Sequence, residues 1–160
     1  MQDISPKEFT DIIVPTGKIL ITMYNVITKK YDQDLVQNMF VTAGKNSLAD
    51  AMRGTTADTK GIITYCALGT SSTAPALSDT GLIAEIARKA ISVRSVSGNV
   101  ATFQTFFTTS EGNGTLREAG LYGDDATASA GTGTLFCRAA INRTKTSSDT
   151  LSLSWSVTIA

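Results

Sequence analysis

The stretch Thr150 to Ile159 reads T-L-S-L-S-W-S-V-T-I and alternates apolar and hydroxyl side chains without an exception. A period of two is the mark of a strand, whose successive side chains point to opposite faces. Leu151, Leu153, Trp155, Val157 and Ile159 therefore share one face, which is expected on the core together with the only tryptophan of the chain. The other face, Thr150 to Thr158, carries no charge. A strand edge open to water is usually protected by Lys, Glu or Pro, so this strand is expected to lie between sheet neighbours or under another subunit. Ser152, Ser154 and Ser156 are accordingly candidate interface residues, and the chain reads as a sheet protein whose C-terminal strand is central.

Composition agrees with a β-rich chain. Of 160 residues, 42% are hydrophobic and only 18% charged, a size that suits one domain with a core plus an extension. Lys plus Arg equal Asp plus Glu at 14 each, so no general field draws nucleic acid or an anionic membrane. No apolar run reaches the roughly 20 residues of a membrane helix, and the acidic, Pro-containing start is unlike a signal peptide. The expectation is a soluble chain made in a cytoplasm. Cys66 and Cys137 sit in apolar strand-like runs and are expected as buried thiols, a disulfide between adjacent strands being the alternative.

Residues 1–18 hold Pro6, Pro15 and Gly17 and show no sustained period, which predicts an extended arm ahead of one domain over 19–160. Phe9, Ile12, Ile13 and Val14 are too apolar for a free tail; they pack on their own domain or reach a neighbouring subunit. Strands are expected near 19–27, 61–68, 87–96, 100–109, 116–122, 134–141 and 150–159. A three- and four-residue period through Ala43, Ser47, Leu48, Ala51 and Met52, closed by Gly54, predicts one helix near 43–53. Lys29 to Asp34 reads as a charged turn, in which Asp32 and Asp34 lack the further acidic ligands a metal needs. Ser78 and Asp79 are placed to cap a short helical turn. The runs 87–96 and 100–109, separated by Ser97-Gly-Asn99, predict one long hairpin. Its Phe103, Phe106 and Phe107 read as core rather than as a nucleic-acid stacking platform. The adjacent Arg117 and Glu118 are expected to pair with a neighbouring strand or to be buried at an interface.

The chain has no histidine, which removes the usual general base and the usual metal ligand together. The Gly/Ser/Thr/Pro-rich segment from Gly69 lacks the lysine and register of a phosphate-binding loop. No catalytic, cofactor-binding or metal residue is assigned, and an enzyme is not expected.

Several motifs occur in one order: Leu68-Gly-Thr-Ser-Ser-Thr-Ala-Pro75, Asp79-Thr-Gly-Leu82 with Glu85, Gly112-Asn-Gly-Thr-Leu-Arg-Glu-Ala-Gly-Leu-Tyr122, Leu135-Phe-Cys-Arg-Ala-Ala-Ile-Asn142 and Lys145-Thr-Ser-Ser-Asp-Thr-Leu151. Over roughly residues 61–160 the chain resembles a β-sandwich family of virion structural proteins of tailed bacteriophages, most specifically around Arg117-Glu-Ala-Gly-Leu121. The resemblance implies a mainly β, antiparallel β-sandwich with one short helix and an N-terminal arm. It also implies a virion component: a capsid decoration or cement protein, or else a tail-fibre, baseplate or tail adaptor part. The expected partners are other copies of itself, as a trimer, and the major capsid protein or tail proteins. No nucleic acid, membrane or cofactor is expected as a partner. A carbohydrate-binding or adhesin module is the competing class, and Trp155 on the core face argues against it.

Overall fold

A computed structural model describes residues 15–52 and 60–159, so Phe9, Ile12, Ile13 and Val14 lie outside the described residues. The elements are β1 (Pro15–Asn25), β2 (Lys30–Phe40), α1 (Thr42–Met52), β3 (Ile63–Gly69), β4 (Glu85–Ala90), β5 (Val93–Ser97), β6 (Val100–Phe107), β7 (Gly114–Gly123), β8 (Thr134–Lys145) and β9 (Asp149–Ile159). The nine strands form one antiparallel sheet in the order β4-β3-β7-β8-β2-β1-β9-β6-β5. Mainly β, antiparallel and with one short helix, the chain matches the expected class at that level. The sheet is continuous and curled as a half-barrel, where the sequence predicted a sandwich.

The curl follows from two local features. β2 pairs with β1 along its whole length but with β8 only through Met39 and Phe40, so the sheet can bend at that junction. At the other side, β4 and β5 are consecutive in sequence yet lie at opposite edges of the sheet. Only Ile91 and Ser92 join them. The Ile91 amide donates to the Thr64 carbonyl of β3 at 2.8 Å and the Ser92 amide to the Gln104 carbonyl of β6 at 2.8 Å, so two residues carry the chain from one edge to the other. The single long strand expected at 87–96 is thus two strands, and only its second half forms the hairpin with β6.

The curl gives two walls. The front wall is β5-β6-β9-β1-β2 and the back wall is β4-β3-β7-β8. Ile19, Ile21, Phe107, Leu151, Leu153 and Trp155 of the front wall meet Cys66, Leu68, Leu116, Leu121, Cys137 and Ile141 of the back wall in one core. Burying each large side chain is worth on the order of 1.5–3 kcal/mol, which makes the apolar face of β9 a main contributor. β9 lies between β1 and β6, as its uncharged second face required. Both cysteines are buried and free, so the disulfide alternative falls; burial pushes both thiols up, that of Cys66 to about 12.

Four expectations are corrected. The arm ends earlier than residue 18, because Pro15 to Lys18 already pair in β1 with Ser156 to Ile159. Gly17 is required there: a Cβ would lie 2.8 Å from the Ser156 carbonyl oxygen and closer still to the Asn38 side chain. The charged turn at Lys29 to Asp34 is mostly strand, since β2 starts at Lys30 and the turn proper is Val26–Lys29. Asn25 closes that turn by accepting from the Ile27 and Thr28 amides at 3.1 and 2.9 Å, and Lys29 takes a positive φ of 59°. Phe106 is not core: Phe107 is buried and Phe103 packs on the core, but Phe106 points outward. No helical turn follows Asp79. Its carboxylate accepts from the Ala76 amide at 2.8 Å and from a guanidinium instead.

Candidate functional site

The outer faces of the two walls differ. Across the back wall, Ala67, Tyr122 and Leu135 form a second apolar cluster with Val41, against which Leu82 and Ala126 pack. That face is covered by the chain itself: by α1, by the connection 70–84 and by the loop 124–133. Gly44 lets α1 close on β8, because a Cβ there would lie 2.6 Å from the Phe136 Cα.

The cover is fixed by buried charge. Arg138 of β8 and Glu118 of β7 are both fully buried. Arg138 donates Nε and Nη2 to Glu118 Oε2 at 3.0 and 2.8 Å, Nη1 to Asp79 Oδ2 at 2.7 Å, and Nη2 to the Thr73 carbonyl at 2.9 Å. Glu118 also accepts from the Ile83 and Ala84 amides at 3.1 and 2.7 Å. Burial raises the Asp79 carboxyl, but the Ala76 amide and Arg138 outweigh it and hold the group below the usual carboxylate range. One guanidinium and two carboxylates thus clamp both ends of the 70–84 connection, and the amides of Ala76, Ile83 and Ala84 meet the surplus negative charge.

Smaller clamps repeat the device. Arg88 lies 4.0 Å over the Tyr122 ring, pairs with Glu85 at 2.7 Å and donates to the Thr132 carbonyl at 2.7 Å, which ties down the loop 124–133. Asp124, at a positive φ of 57°, accepts from the Ser47 hydroxyl of α1 at 2.7 Å and from the Gly61 amide at 3.0 Å. Buried Lys145 donates to the Thr108 carbonyl and to Asn113 Oδ1, both at 2.7 Å. These groups do structural work; none faces an open cleft with a second reactive group beside it.

The front wall has no such cover among the described residues. Its outward positions alternate with the buried ones, and the strand registers set them in rows: Val93, Gln104, Ser154, Leu20 and Leu35 in one, and Ser95, Thr102, Ser156, Lys18 and Gln37 in the next. Phe106, Ser152, Thr22 and Gln33 form a third row. Tyr24 stacks on Tyr31 at 4.5 Å between ring centroids near the far end. Of all the outward residues on these five strands, only Lys18 is charged. Apolar groups stand exposed among the hydroxyls, with Leu35 at 62%, Phe106 at 44% and Leu20 at 39% accessible.

Of the interface candidates, Ser152, Ser154 and Ser156 lie together in the middle of this wall. Glu118 does not reach a surface and is internal, and Arg117, half-buried, takes no part in the Arg138 network. Asp32 and Asp34 face Arg143 of β8, at 2.5 and 3.6 Å. Sequence reasoning missed Arg138, which finds Glu118 and Asp79 at 20 and 59 residues along the chain, and gave Asp79 a helix-capping role in place of that ion pair. It also missed Leu20, Leu35 and Phe106 as one patch. Beside α1, Pro15, Lys45, Leu48, Met52 and Ile159 line an open apolar groove of about 580 Å³. No family model matches the chain, and neither a curated protein nor a solved structure is measurably similar to it.

Proposed function

We propose that this protein is a non-enzymatic structural component of a tailed-bacteriophage virion, a capsid decoration or cement protein that stabilises the shell through subunit contacts. The observation that carries the reading is the contrast between the walls: one outer face is covered by the chain's own loops, while the other, five strands wide, is bare among the described residues and holds a single charge. A soluble protein that lived alone would be expected to charge such a face. The motifs from Leu68 to Leu151 supply the virion class, and the two walls over a shared core are what a sandwich of that family would present.

A decoration protein needs contact surfaces and anchors but no reactive centre, and the buried charges here are spent on loop geometry. The apolar residues Phe9, Ile12, Ile13 and Val14, joined directly to the front wall at Pro15, would add anchors across subunit seams. Tail-fibre or baseplate placement is the competing address. The exposed Tyr31 and its stacked neighbour Tyr24 favour glycan adhesion as the second reading.

Labelling purified particles with an antibody to the chain tests the address: signal over the shell is expected, and signal confined to the tail rejects decoration. Deleting residues 1–14, which leaves β1 whole, is expected to keep the domain folded and to weaken its hold on shells. Retention of an immobilised host polysaccharide by the isolated chain would instead support the adhesin reading.

A further inference from the structure

The geometry points to a second copy of this chain as the occupant of the front wall, the two copies packed wall to wall about a two-fold axis. The inference rests on the reading of the protein as an assembling component, but not on its address in a particle.

Area is the first argument. The outward positions of β1 run from Thr16 to Tyr24. Such a run spans about 27 Å, and five strands about 4.8 Å apart span about 19 Å, so each wall offers roughly 500 Å² in projection and two walls together reach the about 1,000 Å² that a specific interface must clear.

Charge is the second. A partner rich in either sign would bury its charges against a face that answers with Lys18 alone, and unpaired buried charge is costly. An equally uncharged surface avoids that cost, and the chain itself carries one. Lys18 lies near the Pro15 end of β1, where its amine can extend to the rim.

The apolar groups cluster at the centre of the wall. Leu20 and Gln104 flank Ser154, Leu35 extends the same row and Phe106 stands beside Ser152, so the wall has an apolar centre within a hydroxyl and amide surround. Binding surfaces concentrate their energy in that pattern. The wall is one patch, and one patch meets itself about a two-fold; a trimer needs two different complementary patches. The structure thus favours a pair where the sequence suggested three.

Sedimentation velocity of the isolated chain over a concentration series tests this, with Ser154→Arg and Gln104→Arg at the centre of the wall and Asn142→Arg as an exposed control on β8. The near-ultraviolet circular dichroism of Trp155 checks that each variant is folded. The wild type and Asn142→Arg are expected to form the same concentration-dependent dimer, and each wall arginine to raise its dissociation constant about a hundredfold. A wild-type chain that stays monomeric at its highest soluble concentration overturns the proposal, as does a dimer that folded Ser154→Arg and Gln104→Arg leave unchanged. Particle labelling is independent of either result, so failure of the pair and failure of the virion reading are separable.

Discussion

The back wall and the front wall share strand architecture and a core but finish their outer faces in opposite ways. On the back wall the chain returns over itself and is held there by charged groups: Arg138 pairs with Glu118 and Asp79, and Arg88 donates to the Thr132 carbonyl. On the front wall no described segment returns, and charge is withheld from every outward position except Lys18. Buried charge contributes little net stability compared with apolar groups of the same shape, but it makes one loop arrangement far better than its alternatives. Charge here fixes the chain's own cover, and it is absent from the wall that no described segment covers, the one proposed to meet a partner.

The largest expected effect comes from breaking the clamp. Glu118→Leu leaves Arg138 buried without its main partner and is expected to cost about 3–5 kcal/mol in urea unfolding. Adding Arg138→Met should recover much of that loss, since the uncompensated charge goes with it. A full loss in the double variant would mean that the hydrogen bonds these two side chains give to the 70–84 backbone, and not compensation of the Arg138 charge, hold the cover.

Next is Gly69→Ala at the start of the same connection. The new Cβ would lie 2.5 Å from Glu118 Oε1 and 2.6 Å from the Ala84 carbonyl oxygen. Forcing a methyl into that space typically costs about 1–3 kcal/mol. Thermal unfolding followed at 218 nm, a wavelength suited to roughly any sheet protein, reads the change.

Acid sharpens the contrast from another side. The Lys89 amine and the Thr108 amide hold the Glu111 carboxyl down at about 2, against an ordinary 4.5. Hydrogen bonds from Thr146 likewise hold Asp149 low. A folded-state value below the unfolded one stabilises the protein above the unfolded value, so this contribution is present above about 4.5 and is lost as pH falls toward 2. Unfolding midpoints measured across that window should fall, and Lys89→Met should flatten part of the slope.

The smallest effect belongs to the front wall. Ser152→Ala and Ser156→Ala are expected to change monomer stability by less than about 0.5 kcal/mol, because these hydroxyls fix no loop. A loss comparable with that of Gly69→Ala would show the wall to be part of the fold's own scaffold.

Much of this was legible in the sequence where one face of a strand lies on the core. β9 shows its alternation because Leu151 to Val157 are buried and Ser152 to Thr158 are not. β2 stayed hidden because its first half overhangs the core, so Asp32 and Asp34 replace the apolar residues that would have marked a strand and find Arg143 instead. The break at Ile91 was invisible because both β4 and β5 have strand composition, and only the edge-to-edge crossing distinguishes them. Arg138 read as one more strand residue, since its partners come from other parts of the chain. Ser152, Ser154 and Ser156 were found from their strand alone, but the width of the charge-free wall needed the registers of β6, β1 and β2 beside it.

Hydroxyl-radical footprinting of the wild-type chain, dilute and concentrated, tests the central claim most directly, because each side chain serves as its own reference. Tyr31, Leu35 and Phe106 report on the front wall, and Leu77 and Ile83, exposed on the 70–84 connection, report on the other side of the molecule. Front-wall labelling is expected to drop on concentration while Leu77 and Ile83 react as before. Unchanged labelling of Tyr31, Leu35 and Phe106, or protection of Leu77 and Ile83 in their place, would contradict it.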